Sequence, residues 1–223
     1  MKSKKLIIFD CDGVLVDSEP LAAVAYENVF AKHGIVINRT VFEQCIGMKQ
    51  TDILKKIEAL TGFCLPQADE PDIWTETKLQ FDKFLNATNG LLNFLTSVAA
   101  SRCVASSSSL ERINYSLSTT RLTNFFPQSA IFSSSMVKHG KPAPDLFLFA
   151  SRQCGFSQEN CVVIEDSHFG VQGAVSAGMT AIGFTGGGHS DKDHASRLLA
   201  SGACAACKNW DEVAEVLVKL GFT

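Results

Sequence analysis

The chain has 223 residues, 46% of them hydrophobic and 19% charged, which excludes a disordered, collagen-like or coiled-coil protein and suits one domain carrying an insert. Its 20 Lys and Arg stand against 23 Asp and Glu, without the basic excess of a nucleic-acid binder. No apolar run approaches the ~18 residues of a membrane span, and Asp10 interrupts the first apolar run before a signal peptide forms, so the chain reads as cytoplasmic, with neither membrane nor nucleic acid as partner.

Leu6-Ile7-Ile8-Phe9 is a continuous apolar run that ends in acids, the pattern of a strand buried on both faces. Helical periodicity follows in Leu21 to Lys32, Thr51 to Leu60 and Ile73 to Leu85. Further short apolar runs come at 102–105, 129–132, 161–164 and 180–184, each separated from the next by helical spacing. That alternation predicts an α/β fold, a Rossmann-like doubly wound parallel sheet. Some ninety residues lie between the first and second strands, far more than one crossover needs. They predict an inserted α-helical cap domain over 17–86, with 1–16 and 87–223 forming the α/β core and polar linkers near 16–18 and 86–89.

Ser108 with Glu111 spells a capping box, Pro144 and Asp145 suit a first helical turn, and Glu165-Asp166-Ser167 ends a strand and starts a helix that Gly178 closes. Trp210 to Leu220 is a last amphipathic helix. Eight cysteines are too sparse for a disulfide scaffold. The Cys204 to Cys207 pair lies in a strand-like run with no second pair, so free thiols are expected. Gly186-Gly187-Gly188-His189 reads as a mobile surface loop rather than a phosphate cradle, because G-x-G-x-x-G spacing is missing. The sequence names no partner for His189 or His194.

Asp10 and Asp12 follow the first strand, and residues two apart on an extended chain point the same way. Both then face the region beyond the strand's carboxyl end, where open α/β sheets bind ligands. Alone, Asp-x-Asp-Gly is equally an ordinary turn. Three more polar groups fall at corresponding places: Ser106 after the second strand, Lys141 before a helix, and Glu165 with Asp166 after a later strand. Each has a local alternative, as a helix cap for Ser106 or Ser107, as dipole-favoured first-turn acids, or as a solvated loop lysine. Together they describe several carboxylates, one cation and one hydroxyl, a set suited to phosphoryl transfer around a divalent cation held by oxygen ligands.

The stretch Phe9-Asp10-Cys11-Asp12-Gly13-Val14-Leu15-Val16-Asp17-Ser18-Glu19, then Val104-Ala105-Ser106-Ser107-Ser108, Lys141-Pro142-Ala143-Pro144-Asp145 and Val163-Ile164-Glu165-Asp166-Ser167, strongly resembles the haloacid dehalogenase superfamily. Within it, the resemblance is to phosphatases and phosphomutases of the β-phosphoglucomutase-like branch with a helical cap. The resemblance implies a monomeric, Mg²⁺-dependent enzyme acting on a small phosphorylated metabolite, a sugar phosphate or phosphorylated sugar acid. It implies that Asp10 is the nucleophile, Asp12 the general acid and base, and that Asp10, Asp166, Glu165 and the main-chain carbonyl of Asp12 hold Mg²⁺. Ser106 would bind the phosphoryl group, Lys141 would neutralise Asp10 and the phosphate, and the backbone near Ser107 would complete the cradle. Gly47-Met48-Lys49-Gln50 is similar to a cap loop over the active site, so Lys49 reads either as a substrate contact or as a solvated lysine at a helix start. Ala22 stands where β-phosphoglucomutases carry a histidine, which favours a phosphatase over a mutase. A non-catalytic binding relative would lack one of Asp10, Asp12, Ser106, Lys141 or Asp166, and all are present.

Overall fold

A computed structural model describes residues 5–37, 41, 42, 44, 45 and 47–222. Its sheet has six parallel strands: β1 (Leu6–Phe9), β2 (Ser101–Ser106), β3 (Ile131–Ser133), β4 (Cys161–Glu165), β5 (Thr180–Phe184) and β6 (Ala205–Cys207). Their order is β3-β2-β1-β4-β5-β6. β1 is therefore central, with the chain winding away from it in both directions, as a doubly wound fold requires.

The two-residue period of a strand sorts the apolar runs into two cores. Ile7, Phe9, Val104, Val162 and Ile164 face one side and pack against α4 (Leu91–Ser97), α5 (Leu110–Thr119) and α9 (Trp210–Lys219). Leu6, Ile8, Cys103, Ala105 and Val163 face the other and pack against α6 (Asp145–Cys154), α7 (His168–Ser176) and α8 (His194–Ala200). Burial on both faces is why these strands read as unbroken apolar runs rather than alternating ones. β3 starts at Ile131 rather than at Ser129, because Gln128–Ala130 is taken up by a 3-10 turn closed from Ala130 N–H to Pro127 O at 2.8 Å.

The insert after β1 contains α1 (Glu19–Ala31), α2 (Gln50–Thr61) and α3 (Glu70–Phe84). Tyr26, Val29, Phe30, Phe42, Ile57 and Ile73 form its own apolar core. It is not independent of the sheet: Phe81 of α3 belongs to the core beneath β1, and Trp74 Nε1 donates to Glu111 on α5 at 2.7 Å. The chain leaves and re-enters the α/β layer at one place, where Val16 bridges Ala87 and Asp17 N–H donates to Asn86 O at 3.0 Å. All eight cysteines are free. No helix among the described residues is long and apolar enough to cross a membrane.

Candidate active site

Register places the polar residues before any side chain is considered. Phe9 pairs with Val104 on one side and Ile164 on the other, so Asp10 lies level with Ala105 and Glu165, and Ser106 and Asp166 follow one step on. Asp10 N–H continues the ladder to Ile164 O at 3.0 Å. This is the carboxyl edge of the sheet at its topological switch point, where α/β folds collect ligands.

Lys141 enters this edge from the loop before α6. Its side chain is 1% exposed, and Nζ donates to Asp10 Oδ1 at 2.8 Å and to Glu165 Oε1 at 2.5 Å. The second Glu165 oxygen accepts from Ser167 N–H and Ser167 Oγ, each at 3.0 Å. A buried ammonium costs several kcal/mol unless paired, and two carboxylates meet that need. Burial pushes the Asp10 carboxyl well above its ordinary range; Lys141 opposes this, while the charges of Glu165, Asp166 and Asp12 add to it. Burial also raises Glu165, again opposed by Lys141. Lys141 is itself held in its charged form: burial disfavours the charge, but Asp10 and Glu165 outweigh that.

Asp10, Glu165 and Asp166 each offer a carboxylate oxygen within 4.8 Å of the others, all buried. Asp166 Oδ2 has no hydrogen-bond partner, and His189 Nε2 lies 3.1 Å from it without hydrogen-bond alignment. Gly13, at φ +74°, lets the first loop approach so closely that a Cβ there would lie 1.8 Å from Asp166 Oδ2. An all-oxygen buried set with an unsatisfied acceptor fits a hard divalent cation.

Asp12 occupies a different environment. Oδ1 accepts from Ser18 Oγ at 2.6 Å and from Arg112 Nη2 at 2.8 Å and Nε at 3.2 Å, while Oδ2 accepts from Ser108 Oγ at 2.6 Å. Burial alone raises this carboxyl, but Arg112, Ser108 and Ser18 together hold it below the ordinary range. Two adjacent acids thus diverge, Asp10 pushed up and Asp12 held down.

These bonds correct the expected capping box. Ser109, not Ser108, caps α5 by accepting from Arg112 N–H at 3.2 Å, because the Ser108 hydroxyl is directed to Asp12. Ser18 likewise stands at the N-cap of α1 without capping it. Arg112 escaped the sequence reading, although one signal was present. It occupies the third position of α5, and a cation in a first helical turn opposes the dipole, so a reason other than helix stability is needed.

Ser106 is buried, and its Oγ accepts from Ser108 N–H at 3.1 Å. Ser107 O accepts from Ser134 Oγ at 2.8 Å, which fixes the loop after β2. Lys49 lies against Gly140, the residue before Lys141 in the chain, where a Cβ would meet Lys49 Cε at 2.3 Å. In the glycine loop after β5, Gly186 and Gly188 are exposed, as expected of a surface loop, while Gly187 is buried and Gly188 N–H donates to Asp17 Oδ1 at 2.8 Å. His194, whose partners the sequence left unnamed, pairs Nε2 with Asp166 O at 2.6 Å and Nδ1 with Ser190 Oγ at 2.8 Å. These contacts come from distant segments and have no local sequence pattern.

Two adjoining cavities open between the insert and the sheet edge. The inner, of about 400 Å³, is lined by Asp10, Asp12, Glu19, Ser106 and Arg112 together with Tyr26, Met48 and Ala22. The outer, of about 550 Å³, shares Tyr26, Met48, Ser107, Ser108 and Arg112 and adds Gln50, Trp74 and Thr77.

A doubly wound sheet with an inserted helical unit and a carboxylate–lysine cluster at its switch point defines a Rossmann-like α/β catalytic protein with a helical cap. Residues 7–184 match the family of haloacid dehalogenase-like hydrolases, and the chain belongs to that family. Among curated relatives it is 29% identical over 192 residues to a 6-phosphogluconate phosphatase of Escherichia coli, covering 85% of this chain and 86% of that one. It is 31% identical over 215 residues to a phosphorylated carbohydrates phosphatase of Thermotoga maritima, covering 95% and 97%. Among solved structures, a conserved haloacid dehalogenase-like protein of unknown function from Agrobacterium tumefaciens superposes with a TM-score of 0.84 at 32% identity, covering 98% of this chain and 100% of that chain.

Proposed function

We propose that this hydrolase is a Mg²⁺-dependent phosphatase that cleaves a small phosphorylated metabolite, a sugar phosphate or phosphorylated sugar acid, through an aspartyl-phosphate intermediate on Asp10. The observation that carries this reading is Lys141 held between Asp10 and Glu165, with Asp166 beside them. Mg²⁺ would be held by Asp10, Asp166, Glu165 and the main-chain carbonyl of Asp12, and when bound it supplies neutralisation of the phosphoryl oxygens. Asp10 supplies the attacking carboxylate oxygen, while Lys141 takes up the other and balances charge as the phosphoryl group arrives. Ser106, with the backbone at Ser107, receives the phosphoryl oxygens. Asp12 stands two residues on; against burial, Arg112, Ser108 and Ser18 keep it ionised. In this reading it takes up a proton as substrate loosens those contacts, passes it to the leaving alcohol, and then takes one from the water that hydrolyses the acyl phosphate.

The division into a core of 1–16 and 87–223 and a cap of 17–86 belongs to this reading. The cap closes over the cavities and excludes water while Asp10 is attacked, and Lys49 approaches the substrate from that side. The buried Ala22 in the inner cavity supports hydrolysis rather than phosphoryl return to a second hydroxyl. Eight free thiols support a reducing, cytoplasmic setting, and a monomer is sufficient for the site as drawn. The deciding experiment is a screen of phosphorylated metabolites for free phosphate with the wild type and Asp10→Asn. Phosphate release that vanishes in the variant is expected. Activity retained by Asp10→Asn excludes the mechanism, and isomerisation without phosphate release replaces phosphatase by mutase.

A further inference from the structure

We infer that Arg112 is the receptor for a carboxylate on the substrate, so that this enzyme selects phosphorylated sugar acids over neutral sugar phosphates. The inference rests on the phosphatase reading and narrows its substrate class. Three observations carry it. Arg112 is the one charged residue among the described residues lining the outer cavity, the others being neutral: Tyr26, Met48, Gln50, Ile53, Trp74 and Thr77 among them. It also lines the inner cavity beside Asp10 and Asp12, so it borders both the reacting centre and the space for the remainder of the substrate.

Second, its guanidinium is only partly used. Nε and Nη2 both converge on one oxygen, Asp12 Oδ1, and Nη1 donates no hydrogen bond among the described residues. A guanidinium has five N–H groups in a planar fork that matches a carboxylate. The side chain stays 19% exposed, with the Phe81 ring 5.3 Å from its Cζ on the apolar side, which fixes the fork's plane and leaves its remaining donors for a ligand.

Third, helix stability does not explain its position. A cation in the first turn of α5 opposes the helix dipole, yet Ser109 holds the backbone of this residue in place as the cap. One singly charged fork among otherwise neutral described lining residues matches a monoanionic carboxylate. A second phosphate, nearly a dianion, would call for additional cations, and among the described residues that line the outer cavity Arg112 is the only one.

The test compares four esters on the wild type, Arg112→Met and Arg112→Lys: a six-carbon aldonic acid phosphorylated on its terminal carbon, the corresponding neutral hexitol phosphate, a hexose bisphosphate and an aryl phosphate. Because Arg112 also touches Asp12, each variant slows all four, and the readout is the ratio of kcat/KM for acid over neutral ester. The wild-type ratio is expected at about 10 to 100, the worth of a hydrogen bond to a charged group, falling close to one in Arg112→Met and only partly in Arg112→Lys. A wild-type ratio near one, a ratio unchanged in Arg112→Met, or preference for the bisphosphate overturns the carboxylate assignment while aryl phosphate turnover keeps the phosphatase reading intact. Absence of phosphate from all four esters overturns that reading and this one with it. A measurement on the wild type alone guards against a misfolded variant: the free aldonate should inhibit aryl phosphate hydrolysis competitively and more strongly than the free hexitol, and equal inhibition overturns the inference.

Discussion

Ser108 Oγ donates to Asp12 Oδ2 at 2.6 Å across 96 residues of sequence, while its neighbour Ser109 caps α5. Adjacent serines thus serve separate purposes, one the site and one the helix. Ser109→Ala should lower stability by about 1 kcal/mol, the worth of a cap, and speed amide exchange at Arg112 N–H. Ser108→Ala should leave that exchange unchanged and cut turnover roughly tenfold, the worth of one hydrogen bond to a charged group. The opposite pattern would return the cap to Ser108.

Lys141→Met leaves Asp10 and Glu165 buried with no counter-charge. Breaking one partner of a buried ion network costs about 3–5 kcal/mol, and urea unfolding of the metal-free variant at pH 8 should show a loss of this size together with abolished hydrolysis. A loss under 1 kcal/mol would mean that the carboxylates are already solvated or protonated.

Glu19 gives a pH signature. Burial pushes it up to about 7, assisted by Asp12 and Asp166 and only partly opposed by His189 and Arg112. Its unfolded value is about 4.3. Between those values the folded state keeps a proton that the unfolded chain has released, so this group's contribution to stability falls as pH rises through that window and levels off above it. Glu19→Gln should therefore match the wild type near pH 4 and exceed it at pH 8 by on the order of 3 kcal/mol, read from denaturant unfolding in chelator. A difference independent of pH would refute the raised value.

Metal binding is testable without turnover. Titrating Mg²⁺ into chelator-treated protein should raise Tm in proportion to the logarithm of its concentration, with about 2.7 kcal/mol gained at one hundred times Kd. Asp166→Asn should abolish the shift, since Asp166 Oδ2 is the buried carboxylate oxygen that accepts no hydrogen bond. An equal shift in that variant would place the ion elsewhere.

What the sequence made legible follows from range. Leu6–Phe9, Asp10 and Glu165 were readable because a strand buried on both faces and the acids at its end are consecutive in the chain. The register that sets Asp10 level with Glu165 follows from the fold class. Arg112, Ser18 and His194 were not readable, because their roles depend on which helix faces which loop after packing. Ser108 misled because its local pattern, a serine three residues before a glutamate, satisfies the cap rule equally well. The anchor of the Gly186 to Gly188 loop was unreadable for a related reason: its composition suits a surface turn, and the Asp17 carboxylate that accepts from Gly188 N–H lies 171 residues away.

The doorway formed by Val16 with Ala87 and Asp17 with Asn86 makes the intervening segment a lariat tied at its neck. Once the neck is fixed, lengthening the loop costs the core very little, about 0.6 kcal/mol for each doubling of length. Apart from the ties that Phe81 and Trp74 of α3 make to the sheet layer, the helices above can then change with little cost below, and a lineage can rebuild what it recognises while leaving Asp10 and Lys141 where they are.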